Sequence, residues 1–411
     1  MKYEYHTRLV MEELRGLAEL AERCLAEYGP GTPPNIALLR EQFAYTGVLP
    51  EVAEGLCKVA AMVAVDPVLT ALYSAMLDMP RLHQHHDQVT GAMQALIFLS
   101  ATADVRAKHA TMGIPDEITR DTVADVNVAL KDYARNHDGA LGSDYTNWLI
   151  NHYTFKLYKI GRLQYILKPF DGNVRVFIND TAGEIILTAK SGVAFRGDGL
   201  IDGQNNIFSP ETRWLSKCDE DDAKVVTNCL FTNGHAVRTP LALDKSVWRV
   251  VLESGMNVLD MHIPEGPSLT QSACTESMRA ACRFFDHYFS DRPIETFYCG
   301  SWLLDAEMQS FLPPLSGIVQ FQKLFHIYPE PGSDREFIYR VFDIRRSDVK
   351  AALDDVMAFA KSTDRSTALR RGIADHWLAG GRFHPAGGVT HRSKLFPPAV
   401  QANRPRNVDI E

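Results

Sequence analysis

The stretch MNVLDMHIPEGPSLTQSACTESMRAACRFFDHYF, Met256 to Phe289, decides how the rest of the chain is read. At its start Asn257, Leu259, Met261 and Ile263 alternate with Met256, Val258, Asp260 and His262, the period of two that marks a strand. EGPSL is a turn. Beyond it Cys274, Met278, Ala281, Phe285 and Tyr288 lie three and four residues apart, one apolar stripe along a helix. Pro267 and the capping-box spacing of Ser268 and Gln271 predict that this helix begins near Leu269. After Pro293 comes a second short strand, IETFYCGS, then Trp302-Leu303-Leu304 and the run SGIVQFQKLFHIY. Chemistry is expected at the top of these two strands.

Working outward, 411 residues exceed one ordinary core, so two domains are the default. Hydrophobic residues at 45% and charged ones at 23% are those of a soluble globular protein. A net charge of −8 carries no basic footprint and argues against nucleic acid, while leaving room for a local basic pocket. No apolar run approaches the ~20 residues of a membrane helix. MKYEYHTRLVMEELRG is charged throughout and lacks an apolar signal core. The seven cysteines, at 24, 57, 218, 229, 274, 282 and 299, include no CxxC pair and read as free thiols. A cytoplasmic protein without a metal is the expectation.

Before the central stretch the grammar is helical as far as about 158. Helices are predicted over Tyr3–Tyr28, Asn35–Tyr45, Glu51–Val65, Pro67–Met79 (closed by Pro80), Gln88–Ala103, Asp116–Asn136 (the longest) and Asp144–Leu157. From Gly161 the segments RLQYILKPF, NVRVFIND and GEIILTAK are short, β-rich and separated by turn dipeptides. CLFTNGHAVRTPLALD reads as a hairpin turning at Asn233-Gly234. Past the central stretch REFIYRVFDI reads as a strand, and Ser347–Lys361 and Ser362–Ala379 as helices. From Gly380 the Gly, Pro and Arg content predicts an extended arm or disorder. The fold class is therefore α+β: an all-helical front (1–158), a mixed α/β part (159–345), and C-terminal helices with an extended tail (346–411).

Several residues carry candidate chemistry. Asp260 and His262, two apart on a strand, point the same way, and His262 at a strand end is a candidate general base. Otherwise it is a core histidine bonded to a neighbouring backbone group. The turn Pro264–Thr270 leads into a helix N-terminus, a natural anion site, although it has one glycine and two prolines, unlike phosphate-binding loops. Cys299 or Ser301 would be a nucleophile if His262 lay within reach, and Tyr298 a general acid. A small buried apolar residue is the other reading of Cys299. Ser301 lacks the GxSxG elbow. His83-Gln84-His85-His86-Asp87 reads as a solvated loop, and Gly197-Asp198-Gly199 as a turn. Arg335, Arg340, Arg345, Arg346 and Lys350 would either meet a phosphorylated ligand or face solvent.

His262-Ile263-Pro264, Gly266, Leu269, Ser277, Ala281, Phe284-Phe285, Cys299-x-Ser301-Trp302-Leu303-Leu304, Leu312-Pro313, Ser316-x-Ile318, Phe321-Gln322 and Phe325 together resemble a bacterial family of predicted acyltransferases. Its members carry a helical N-acyltransferase N-terminal domain and a GNAT-like (N-acetyltransferase-like) C-terminal domain. The resemblance is specific over 255–330, looser over 160–255 and architectural before that. It implies an acyl-CoA-dependent acyltransferase, its co-substrate held by the turn of Ile263, Pro264, Gly266, Ser268, Leu269 and Thr270. His262 or Asp260 would be the base, with Tyr298 or Ser301 near the leaving thiolate. The acceptor would be an amine of a small molecule or peptide, and a homo-oligomer is compatible with this reading. The GNAT pyrophosphate signature, Gln or Arg followed by x-x-Gly-x-Gly or Ala, is absent from Ile263–Thr270. The alternative is a non-catalytic GNAT-like module that binds a ligand or a protein.

Overall fold

The structure, a computed structural model, describes residues 12–231 and 234–396. The front is helical: α1 (Ala18–Tyr28), α2 (Ile36–Thr46), α3 (Pro50–Val65), α4 (Pro67–Met76), α5 (Met79–His85), α6 (Gly91–Met112), α7 (Asp116–Val123), α8 (Val126–Asn136) and α9 (Thr146–Tyr153). Helix α6, at 22 residues, is the longest, and Ala92–Leu99 within it is buried on every side. A helix apolar all round belongs at the centre, and the others pack about it.

Three expectations are corrected here. The pattern over 116–136 is not one helix, because the chain breaks at Ala124-Asp125 between α7 and α8. Pro80 opens α5 instead of closing α4. It sits in the first turn, where its missing N–H is harmless, and Asp78 caps the Arg81 N–H. His83 and His85 therefore lie on a helix, with His86 in the 3₁₀ turn that follows. The predicted residues before 12 lie outside the described residues. No single described helix is long and apolar enough to cross a membrane.

The back half is built on a six-stranded sheet, ordered β1 (Leu157–Ile160), β2 (Leu163–Pro169), β11 (Asn257–His262), β12 (Thr296–Ser301), β14 (Ala386–His391) and β13 (His326–Pro329). Only β11 and β12 are parallel, joined by helix α10 (Gln271–Tyr288). Between β2 and β11 the chain forms a second, antiparallel sheet, β10 (Arg249–Leu252), β3 (Val174–Asn179), β4 (Glu184–Ala189), β8 (Lys224–Leu230) and β7 (Cys218–Glu220). Strand β9 (Ala236–Asp244) pairs with β8, and β5 (Ala194–Phe195) pairs with β6 (Trp214–Leu215) as a small ribbon of its own. Asn233, expected at that turn, lies outside the described residues. One face of the main sheet (Tyr165, Leu259, Met261, Phe297) packs on Met278, Ala281 and Phe285 of α10. The other places Val258, Tyr328 and Val389 against Val176, Leu187 and Leu252 of the second sheet.

The C-terminal expectations also change. After the short helix α11 (Gly317–Gln322), REFIYRVFDI is not a strand: α12 spans Arg335–Val341, with Phe337, Ile338 and Val341 buried at helical spacing. The helix expected over 347–361 is two, α13 (Val349–Asp354) and α14 (Val356–Ser362), because Asp355 turns out of the helix and caps Ala358. Helix α15 spans Ala368–Leu378. The glycine-rich segment read as an arm contains β14, a wholly buried strand between β12 and β13. Its glycines serve close packing. A Cβ at Gly387 would stand 2.3 Å from the Tyr328 ring, and one at Gly388 would stand 2.8 Å from Leu304.

Candidate active site

The parallel pair at the centre of the sheet is short. Strands β11 and β12 meet at Leu259↔Phe297 and Asp260↔Tyr298. Beyond that, β11 stays with β2 as far as His262↔Gln164, while β12 stays with β14 as far as Ser301↔Ala386. The two strands thus follow different neighbours and part. A cleft of about 860 Å³ opens at the parting, the size of a substrate site. One face of α8 (Val128, Lys131, Asp132, Arg135) and one of α12 (Glu336, Arg340) form walls of this cleft.

 

Helix α8 can serve as a wall because its residues at 128, 131, 132 and 135 recur at three- and four-residue spacing, while Val126, Ala129 and Leu130 face the helical core.

His262 stands at the rim of the parting, its side chain 29% exposed. Its Nε2 lies 3.4 Å from Asp260 Oδ2, and its ring meets the Trp148 ring edge-on at 4.7 Å. Asp260 itself is 6% exposed. Burial alone would raise its carboxyl, but His262 and the Lys168 ammonium, 2.9 Å away, hold it below the usual range. The strand alternation expected from the sequence therefore yields an Asp–His couple whose carboxyl is held toward its charged form.

Of the other candidates on β12, Cys299 and Ser301 line the same cleft as His262, while Tyr298 does not. Tyr298 shares the face of His262 but donates its hydroxyl to Glu330 at 3.1 Å, and Tyr328 donates to the same carboxyl at 2.7 Å. Burial and the Glu330 carboxylate push the Tyr298 hydroxyl well above the tyrosine range, which makes it a poor acid. Cys299 points to the opposite face, 1% exposed, in the core against α10. Burial pushes its thiol well up, so the reactive thiolate is disfavoured. Ser301 reaches the cleft, and its Oγ accepts the Leu303 N–H at 3.1 Å.

In the turn, Ile263, Pro264, Gly266 and Leu269 line the cleft, whereas Ser268 and Thr270 are exposed beside it. The expected cap is corrected: Thr270, not Ser268, caps α10, its side chain accepting from Ala273 at 3.3 Å. Glu265 is paired with Lys131 of α8 at 2.6 Å. Arg162, in the β1–β2 turn, donates to the carbonyls of Pro267 (2.7 Å) and Pro264 (3.0 Å) and so brings a cation to a turn poor in glycine.

Residues 157–390 match the family model described as a GNAT-like C-terminal domain, and residues 35–155 match that of an N-acyltransferase N-terminal domain. The chain belongs to this GNAT-like family. Both models describe acyltransferase domains, in the order in which the chain carries them. Among solved structures, an acyltransferase mutant in complex with octanoyl-CoA is 20% identical, with a TM-score of 0.59 over 93% of this chain and 98% of that one. An acyltransferase in complex with decanoyl-CoA and teicoplanin is also 20% identical, with a TM-score of 0.58 over 95% and 99%. At such identity the likeness is one of fold. No curated protein sequence matches the chain.

Within this GNAT-like fold several motif residues are structural. Ser277 Oγ meets the Leu163 N–H at 3.2 Å and the Tyr165 hydroxyl at 2.8 Å, tying α10 to the β1–β2 hairpin. Gln322 donates to the carbonyls of Leu303 and Asp305, both at 2.8 Å, and pins the segment that follows β12. Of the C-terminal cations, Arg340 lines the cleft, while Arg335 and Lys350 are exposed to solvent. Arg346 pairs with Asp132 and Asp144, and Arg345 with Asp138, all three from the helical half. Sequence reasoning missed Arg162, Gln164, Asp125 and Trp148. They stand far from β11 in the chain, and only the pairing of β1–β2 with β11 and the docking of α8–α9 bring them in. Asp198 pairs with Arg196 and accepts the Leu200 N–H, as a turn residue does. Among the described residues no cluster of His, Cys, Asp and Glu is placed to hold a metal ion.

Proposed function

We propose that this protein transfers an acyl group from a CoA thioester to an amine, with His262 as general base. The observation that carries the reading is the parting of β11 from β12 with the Asp260–His262 couple at its rim. The acyl-CoA held by the solved acyltransferases of like fold supports the donor.

In this reading the pyrophosphate lies along the turn 263–270, beside the Arg162 cation and the first N–H groups of α10. The acyl chain runs over Met261, Leu269, Trp302 and Leu303 in the cleft. Asp260 favours the Nε2–H tautomer of His262, which leaves Nδ1 as the accepting nitrogen. The amine attacks the thioester carbon, the C–S bond breaks, and CoA leaves as the thiolate. His262 takes a proton from the amine, and Asp260 stabilises the imidazolium that forms.

Thermal unfolding with CoA, acetyl-CoA and octanoyl-CoA, beside an ATP control, tests this. A ligand at a hundredfold excess over its Kd adds about 2.7 kcal/mol of stability. A shift with the thioesters that is weakened in Arg162→Glu places the donor on the turn. His262→Ala should keep that shift and lose turnover. No shift with any thioester would overturn the reading and leave a module that binds another ligand or a protein.

A further inference from the structure

Asp125 stands immediately before α8, where an aspartate ordinarily accepts an N–H of the first helical turn. It does not do so here. Its backbone is already helical, at φ −61° and ψ −19°, and its side chain makes no capping bond. The carboxylate lines the cleft instead, its side chain 9% exposed. Oδ2 accepts the Trp148 indole N–H at 3.0 Å and lies 3.2 Å from His152 Nε2.

His152 is wholly buried, and its Nδ1 has no partner. A carboxylate facing Nε2 keeps the proton there. Nδ1, at the far side of the ring, faces no acceptor. Among the described residues, His152 is the one ion-pair contact of Asp125. The carboxylate thus faces an indole N–H and one imidazole, with no Lys or Arg in ion-pair contact among the described residues. Burial would raise its carboxyl, yet the bond and charge interaction with His152 and the bonds from Trp148 and Gln164 hold it below the ordinary range. One indole joins it to the base: Trp148 bonds Asp125 through Nε1 and meets the His262 ring with its own.

We propose that Asp125 is the subsite for the acceptor's ammonium group, so that the protein selects acceptors arriving as primary ammonium ions. The proposal rests on the amine-transfer reading above. Of the ammonium's three protons, one leaves to solvent through His262, one ends on the CoA thiol, and one stays on the amide. Asp125 holds an N–H while the freed lone pair forms the C–N bond and the C–S bond breaks.

The test uses the full-length protein with benzylammonium and benzyl alcohol as probes, reading the ¹⁵N-labelled indole N–H resonance of Trp148, assigned through Trp148→Phe. Benzylammonium should move that resonance saturably and benzyl alcohol should not. Asp125→Asn should weaken the ammonium's binding at least tenfold. Equal responses to the two probes, or unchanged affinity in Asp125→Asn, would overturn the proposal. Should the variant fail to fold, the contrast between probes on the wild type decides alone. Octanoyl-CoA binding, measured on the same samples by thermal shift, separates the two readings. Thioester binding without ammonium selectivity sinks only this proposal, and ammonium selectivity without thioester binding sinks the donor assignment.

Discussion

Two acid-paired couples stand one strand apart on the same face of the main sheet, and they differ in every respect that matters for chemistry. On β11, His262 and Asp260 open to the cleft with the Lys168 ammonium beside the carboxylate. On β12, Tyr298 hands its hydroxyl to Glu330, whose other donor is the phenol of Tyr328. Asp260 is held below the usual carboxylate range, whereas burial raises Glu330 against the pull of its two phenols. A buried carboxylate keeps its charge when a cation stands by it, and only a charged one can support an imidazolium. The difference is set by what each strand end meets, not by residue type.

The sharpest break in that comparison is turnover. His262→Ala should lower kcat/KM by about 10²- to 10⁴-fold, the usual contribution of a general base, while acyl-CoA binding is retained. Tyr298→Phe should change kcat by less than about threefold if its hydroxyl takes no part in proton transfer. Steady-state kinetics on the two variants separates the couples directly, and a comparable loss in both would mean that β12 supplies the acid after all.

Next in size is stability against pH. Asp260 has a depressed value in the folded state, so its contribution is present above its unfolded value, near 3.9, and is lost as pH falls through the folded value. Asp260→Asn should therefore cost about 2 kcal/mol at pH 7, less than the ~3–5 of a fully buried pair because Lys168 can reach water. The deficit should shrink in acid. Glu330 has the opposite sign. Its folded value is raised, so its contribution is present below about 4.3 and lost as pH rises through the folded value. Glu330→Gln should melt closest to wild type at alkaline pH and fall behind in acid. Melting curves from pH 3 to 8 would show the two deficits running in opposite directions, and parallel curves would refute the assignment of charge.

The sequence made the first couple legible and the second not. Period-two alternation alone places Asp260 and His262 on one side, because that geometry is local. What β12 would do depended on contacts that pattern cannot carry. Tyr298 is occupied by Glu330, 32 residues later, and Cys299 lies on the face opposite His262. Helix α12 was misread for want of context, since REFIYRVF is rich in β-favouring residues whose three- and four-residue spacing decides only once a core is there to receive it. Strand β14 was hidden by its glycines, which signal a loop until Tyr328 and Leu304 are seen pressing on them. Nothing in the sequence singles out Asp125, inside what reads as one helix over 116–136, and the bond it does not make becomes visible only in three dimensions.

The smallest effect is expected at Cys299, and it bears on whether the cleft has one working face or two. The thiol is buried in the α10 core and strongly disfavours the thiolate, while the half-exposed Cys218 and Cys229 offer iodoacetamide easier targets. Native alkylation at pH 7 should label Cys218 and Cys229 first, leave Cys299 free by mass spectrometry, and spare activity. Cys299→Ala should keep kcat within about threefold and cost about 1–2 kcal/mol in denaturant unfolding, the loss of one buried sulfur. Cys299 packs in the α10 core and also lines the cleft, so a fall in kcat larger than the fall in stability would place a reacting group there. It would make β12, with its thiol, the catalytic strand in place of β11.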